Sequence, residues 1–522
     1  MISYLIIRYD FIPVSMFIPV SMTDGSTRSI GRSDERIEYG KKTKESKMNT
    51  QTSPTQTPTS EESNGLGLSK GRVVALVAAL IMTVLSFQLN ASMITPALPS
   101  IAEDLNVSIN EVSQVSTIFL LFGSIGGILL IRWSDYVGRR NVLFVILGAL
   151  LVGSLLALFA PNLPVLLVGR AMQGISSAAF QISYLVLDEA LSPKAFGAAL
   201  GLITALNGGV GGVDGYFGGL LAENFGYRSL FVVILGFTAI ALVAVILTFP
   251  KNMKTTSTGK FDWIGGVLIT AGFVCLNKGI SAGSSADHGW TSPKAIILLV
   301  VAVTSLVLFW IRQQRASSPL ITVDELKSRQ VWPVIAGVLF TLAGVYPVIN
   351  FTMVVLSQNS QIGFGMSASI SSLFFLVPPA VIGIVAAPVV GWIAPRIGWI
   401  LTLRIGLVIC VAALVVIMLF PTNFVLCVAM IAVLGVGYNG LALTTLNALG
   451  VLLSPEDSKG ALPAMSGACF GLGSSIGIAL ISPFASADAV SGVRMAMAIS
   501  LAITVVALIA ALLMRAPEGK KV

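Results

Sequence analysis

The sequence predicts an all-α polytopic membrane protein built as two six-helix bundles with a two-helix insert between them. Three observations carry that prediction. Hydrophobic residues make up 55% of the 522 residues and charged residues only 11%, and the mean hydropathy is +0.89. A water-soluble chain of this size needs far more charge to cover its surface. Apolar runs long enough to cross a bilayer core recur from residue 73 to residue 514. Finally, a short basic turn, Arg132-Trp133-Ser134-Asp135-Tyr136-Val137-Gly138-Arg139-Arg140, returns in weaker form about 260 positions later as Gly391-Trp392-Ile393-Ala394-Pro395-Arg396-Ile397-Gly398. Each turn lies between two apolar runs.

Residues 1–70 are polar, Ser/Thr-rich and mixed in charge, and are expected to form a disordered cytoplasmic tail. Met1–Met22 is apolar but is broken by Arg8, Asp10, Pro13 and Pro19, and no signal-peptide cleavage site closes it. Met22 and Met48 are both alternative starts, and translation from Met48 is the expectation.

Six apolar runs follow in residues 71–250: Val73–Thr95, Val112–Ile131, Val142–Ala160, Leu163–Leu187, Ala198–Leu221 and Leu230–Phe249. Residues 251–330 hold the insert, Trp263–Ile280 and Ala295–Trp310, with its connecting loops. The second bundle, 331–514, reads Val331–Leu356, Ile370–Ile393, Ile400–Phe420, Phe424–Leu449, Ala461–Ile481 and Met495–Met514, and 515–522 is a short tail. Fourteen helices leave both termini on one side. Lysines and arginines cluster in alternate loops, with only Arg228, Lys294 and Arg494 on the other side, so both ends are expected in the cytoplasm.

This positional bias also accounts for the net charge of +8, and no nucleic-acid partner is expected. All four cysteines (Cys275, Cys410, Cys427, Cys469) fall in apolar runs, which argues against a disulfide framework or a metal cluster. His288, the one histidine, lies in a polar loop, where solvation is the simplest reading. The repeat extends beyond the basic turns. Leu191-Ser192-Pro193 recurs as Leu453-Ser454-Pro455, and each is followed by a Gly-Ala pair. The fifth helix is dense in glycine (Gly208, Gly212, Gly218, Gly219), and its counterpart carries Gly473 and Gly477. Glycines four apart make a smooth helix face on which a neighbour can approach closely.

Several stretches resemble the major facilitator superfamily, in particular its fourteen-helix drug:proton antiporter branch. Asp135-Tyr136-Val137-Gly138-Arg139-Arg140 is similar to the family's loop motif, with Ile131 where a glycine is usual and Tyr136 where a basic residue is. Arg170-Ala171-Met172-Gln173-Gly174 matches its Arg-x-x-Gln-Gly motif. Phe261-Asp262-Trp263-Ile264-Gly265 with Gly289-Trp290 resembles the branch's inserted helix pair. Leu89-Asn90-Ala91-Ser92-Met93-Ile94-Thr95-Pro96 resembles the branch signature, but Asn90 occupies the place of an acid linked to proton coupling. The fifth helix reads Asp214-Gly215 where the antiporter motif has Gly-Pro.

The resemblance implies the major facilitator fold, alternating access about a central site, and a cavity lined by the first and fourth helices of each bundle. In this chain those helices carry Gln88 and Asn90, Arg170 and Gln181, Tyr346 and Asn350, and Tyr438, Asn439 and Asn447. Neutral donors and acceptors suit a hydroxyl- or amide-bearing solute, and the alternative for each is hydrogen bonding between helices.

Ionisable groups inside a membrane are costly, so each invites a functional reading. Asp214 is the one carboxylate well inside a predicted helix. Either it carries the proton with Arg170 as counter-charge, or the two form a permanent ion pair. Asp135, Gly138, Arg139 and Arg140 are expected to form a gating loop, with Asp135 and Arg139 latched to Asp188 or Glu189. Lys278 is expected to snorkel toward the outer surface.

No Gly-Lys-Ser/Thr phosphate loop is present, and Gly471-Leu472-Gly473-Ser474-Ser475-Ile476-Gly477 lies in an apolar run and follows no strand. An enzyme is therefore not expected, nor a cofactor. The reading is a monomeric, proton-coupled secondary transporter of a small organic solute in the cytoplasmic membrane. Drug or metabolite export is favoured on the resemblance. Proton symport of a polar nutrient such as a nucleoside or sugar is the alternative, favoured by the altered fifth-helix motif and the polar cavity set.

Overall fold

The computed structural model describes residues 70–191, 199, 212–249, 260–285, 289–321, 331–453 and 461–515. The expectations for the N-terminal tail, Gly208, His288 and the two Leu-Ser-Pro loops fall wholly or partly outside these residues. Among the described residues there is no strand, and 13 helices are long and apolar enough to cross a membrane. In order these are α1 (Gly71–Asp104), α2 (Ile109–Val137), α3 (Arg139–Leu158) and α4 (Leu163–Ala190). The partly described α5 is helical at 212–225. Then come α6 (Arg228–Thr248), α7 (Trp263–Ser284), α8 (Pro293–Arg315), α9 (Trp332–Gln358), α10 (Ala368–Ile397), α11 (Trp399–Leu419), α12 (Phe424–Gly450), α13 (Met465–Ala485) and α14 (Val490–Leu513).

The twofold internal repeat is visible at single residues. Between α2 and α3, Gly138 has φ 89°, and between α10 and α11, Gly398 has φ 99°. Both values lie in the region that glycine tolerates and a Cβ disfavours. Asn162 caps α4 by accepting from the Val165 amide, and Asn423 caps α12 by accepting from the Leu426 amide, both at 3.1 Å. Each of these two helices then changes pitch at the corresponding level. In α4 a 3₁₀ turn covers Ile175–Ser177. In α12 a π-helix covers Gly435–Leu443. A second π-segment interrupts α9 at Val348–Thr352.

The first helix is longer than the apolar run suggested. Pro96 and Pro99 fall at the first positions of short helical segments, where a missing N–H costs nothing, so the chain passes through a 3₁₀ turn and continues to Asp104.

Glycine positions explain how the two bundles meet. The second helix of each bundle packs on the fifth helix of the other. On α5, a Cβ at Gly212 would lie 2.6 Å from the Leu376 carbonyl of α10, and one at Gly219 would lie 2.7 Å from Ser369. On α13, a Cβ at Gly471 would lie 2.6 Å from the Ser124 hydroxyl of α2. A second glycine face on each helix serves its own bundle. Gly218 abuts Met93 of α1, whereas Gly473 and Gly477 abut Leu339, Ala343 and Pro347 of α9. Both fifth helices are thus smooth on two sides, which lets each be shared between bundles.

The core is divided unequally between the two membrane faces. Call the face bearing Arg132, Arg139, Arg140, Arg396 and Arg404 the basic side. At the opposite side one apolar cluster runs through both bundles, joining Leu98, Phe119 and Phe231 to Phe351, Ile478 and Ile481. Nearer the basic side the first bundle has a core of its own, with Leu76, Leu80, Val142, Ile146 and Phe180.

The insert α7–α8 is a hairpin tied at its basic end. Buried Asp262 caps α7 through the Gly265 amide and also accepts from the Arg312 and Gln313 side chains, each at 3.0 Å. The hairpin lies against the seam between the bundles. Ser284 donates to the Ala479 carbonyl of α13 at 2.9 Å, and Trp263 meets Trp133 of α2 edge to face at 6.2 Å. Lys278 donates to Gln114 of α2 and is half-buried, so it bridges to the first bundle; the expected snorkelling anchor is not what the structure shows.

Candidate functional site

Arg170 is fully buried in α4. Its Nε donates to the Val115 carbonyl at 3.1 Å. Nη1 donates to the side-chain oxygen of Asn90, to the Asn90 carbonyl at 3.3 Å and to Gln173 Oε1 at 2.8 Å. The guanidinium also stacks 4.2 Å over the Phe119 ring, an attraction worth roughly 2 kcal/mol when desolvated. Gln173 is held in turn by donating to the Ser154 hydroxyl at 2.8 Å. Carbonyl dipoles and a ring face therefore stabilise this cation. No ion pair within 4.0 Å joins it to Asp214, so the expected Arg170–Asp214 pairing is corrected.

Asp214 sits in α5, 3% exposed. Its Oδ2 accepts from the Ser92 hydroxyl of α1 at 2.5 Å. Its Oδ1 is buried without a hydrogen-bond partner. A carboxyl group buried with one oxygen unpartnered is costly while it is charged.

The other bundle faces this pair with phenols. Tyr346 of α9, beside the π-segment, is within electrostatic reach of both Arg170 and Asp214. Tyr438, in the π-helix of α12, is buried with its hydroxyl unpartnered and lies within reach of Tyr346. π-Segments of this kind gather at functional sites, because they displace side chains from the helical register.

The remaining residues divide. Asn90 is fully buried; Arg170 fixes its oxygen, so its Nδ2 is oriented and lacks a partner. Gln181 of α4 reaches across to α13, where its Nε2 lies 2.7 Å from the Cβ position of Gly467, and its Oε1 is unpartnered. Gln88 is tied within α1, donating to Ser92 Oγ at 3.3 Å. Asn350 donates to the Tyr346 carbonyl at 3.3 Å and Asn439 to the Pro379 carbonyl at 2.8 Å, so each serves a helix backbone. Asn447 is exposed on α12. The sequence reading missed Ser92 and Gln173. Ser92 gives little signal because serines in apolar helices usually bond back to their own turn.

At the basic side, Arg139 meets Glu189 of α4 at 2.8 Å and Asp135 meets Arg132 at 3.1 Å. Arg140 lies over the Phe144 ring at 5.0 Å. At the opposite side, Glu223 of α5 accepts from the backbone amide and hydroxyl of Ser369 at the start of α10, at 2.6 and 2.8 Å. Gln358 of α9 donates to the Pro96 carbonyl at 3.1 Å, and Ser482 of α13 donates to Asn110 at 2.9 Å. These three side-chain links between the two bundles lie at this end.

Comparison with known proteins agrees with this architecture. The sequence profile of the Major Facilitator Superfamily matches residues 80–478. A uridine/deoxyuridine transporter of Lactococcus lactis is 31% identical over 79% of this chain and 87% of its own length. Multidrug resistance protein Stp of Mycobacterium tuberculosis is 26% identical over 79% of this chain and 76% of its own. Among solved structures, a peptide transporter of the POT type superposes with a TM-score of 0.62 at 13% identity, over 86% of this chain and 96% of that one. That likeness shows the fold alone.

Proposed function

This chain belongs to the Major Facilitator Superfamily and is a multi-pass membrane transporter of a small solute; we propose that it takes up a uridine-like nucleoside together with protons. The observation that carries the reading is the buried, half-satisfied Asp214 together with the unpartnered neutral groups Tyr438 Oη, Asn90 Nδ2 and Gln181 Oε1. Such groups match the hydroxyls and ring amide of a nucleoside, and sites built from them discriminate strongly against solutes that leave them unpaired. The similarity to the uridine/deoxyuridine transporter supports the same choice. It reverses the order of the two expectations drawn from sequence.

The positive-inside bias supports a cytoplasmic basic side and cytoplasmic termini. With the bundles bonded at the other end, the structure reads as closed to the outside. The proton would enter on Asp214 Oδ1, and Arg170 would position Asn90 without changing charge. Asp135, Gly138, Arg139 and Arg140 would form the gating loop on the inner side, tied to α4 of the same bundle by Arg139–Glu189.

Drug export remains the second reading, supported by the similarity to Stp; in it the Asp214 carboxylate would pair with a cationic drug. Labelled-uridine uptake and drug tolerance, compared in a deletion strain and the complemented strain, separate the two. The nucleoside reading predicts uridine accumulation that a protonophore abolishes, with tolerance unchanged. Raised drug tolerance without uridine accumulation would overturn it.

A further inference from the structure

The hydroxyl of Ser92 faces two acceptors with a single proton to give. Asp214 Oδ2 lies 2.5 Å from Ser92 Oγ, and the Gln88 carbonyl of the same helix lies 2.9 Å from it. Gln88 Nε2 in turn donates to Ser92 Oγ at 3.3 Å. All three residues are at most 8% exposed. This cluster is the polar link between α1 and α5 at the level where Gly218 presses on Met93.

We infer that Ser92 is a positioning residue that reads the protonation state of Asp214 and couples it to the contact between α1 and α5. The inference rests on Asp214 being the proton carrier. While Asp214 is a carboxylate, the Ser92 proton goes to Oδ2, the stronger acceptor, and fastens α1 to α5. When a proton binds Oδ1, Oδ2 becomes a neutral carbonyl oxygen. The Ser92 hydroxyl then turns to the Gln88 carbonyl, keeping its own proton, and the interhelical bond is released. One proton is bound and none leaves.

Few other charges act on this carboxylate. Arg170 makes no ion pair with it, Tyr346 of α9 lies within electrostatic reach, and α10 carries no acid or base between Ala368 and Ile393.

Infrared titration of the purified protein tests this without needing a substrate. The protonated-carboxyl stretch that disappears in Asp214→Asn is assigned to Asp214, and its intensity is followed against pH. Ser92→Ala removes the hydrogen bond that favours the carboxylate, so its midpoint should move to higher pH by about one unit. Ser92→Thr keeps the hydroxyl, and its midpoint should coincide with that of the unaltered protein. An unmoved midpoint in Ser92→Ala, or the same displacement in Ser92→Thr, overturns the inference about Ser92. Absence of any band assignable to Asp214 at every pH overturns the proton-carrier reading instead. Should Ser92→Ala fail to fold, Ser92→Cys, a weaker donor, should give a midpoint between the other two, and an unmoved one counts against Ser92 equally.

Discussion

At the scale of single residues, two buried groups of opposite charge have separate partners. Arg170 is held by the carbonyls of Val115 and Asn90, by Gln173 and by the Phe119 ring, while Asp214 accepts from the Ser92 hydroxyl. Groups that share no hydrogen-bond partner should behave largely independently on substitution, although Tyr346 lies within electrostatic reach of both. Arg170→Gln leaves its carbonyl partners unsatisfied, at about 1–3 kcal/mol each, and should lower the amount of folded protein. Combining it with Asp214→Asn should therefore give a protein worse than Asp214→Asn alone, measured by monodispersity in detergent and by solute accumulation. Restoration of either property in the double variant would show that the two charges are paired during the cycle.

Much of this site could not be read from sequence, for a physical reason. Arg170 drew attention as a cation in an apolar helix, but two of its four hydrogen-bond acceptors are backbone carbonyls, which every residue supplies. Ser92 and Glu223 gain their meaning only across 122 and 146 positions of chain.

At the scale of elements, α5 and α13 form the close contacts between the bundles. Each has one glycine face for its own bundle and one for the other. Gly471 is the sharpest test, since a Cβ there would lie 2.6 Å from Ser124 Oγ on α2. Gly471→Leu should cost about 1–3 kcal/mol of overpacking in the closed interface, enough to shift the access equilibrium by about fivefold to more than a hundredfold. The variant should insert normally in the membrane and lose most of its transport. Full transport by Gly471→Leu would mean that α2 and α13 do not close on each other.

The helices themselves were legible in sequence because length and hydropathy alone specify a span. Their pitch changes were not, since Gly174 and Gly435 look like ordinary packing glycines. Only the folded neighbours show that α4 tightens and α12 widens at the same level.

At the scale of the whole molecule, alternating access needs two bundles that can part at either end. The apolar cluster through Phe119, Phe231, Phe351 and Ile481 and the bonds of Glu223, Gln358 and Ser482 join them at one end. The insert α7–α8 touches α2 and α13 together, so it must slide or flex as they separate. Orientation follows from the arginines: a reporter enzyme active only in an oxidising compartment should be active when fused after Asn162 or Ser360. It should be silent after Lys260 or Arg329, and the reverse pattern would invert the proposed direction of transport.

The central claim is that Asp214 carries the coupled proton. Proteoliposomes holding the purified protein, with labelled uridine outside and an inward proton gradient imposed, test it most directly. The unaltered protein should accumulate uridine above equilibrium. Asp214→Asn should lose that accumulation while still exchanging labelled for unlabelled uridine, because exchange moves no net proton. Gradient-driven accumulation by Asp214→Asn at the unaltered rate would contradict the account.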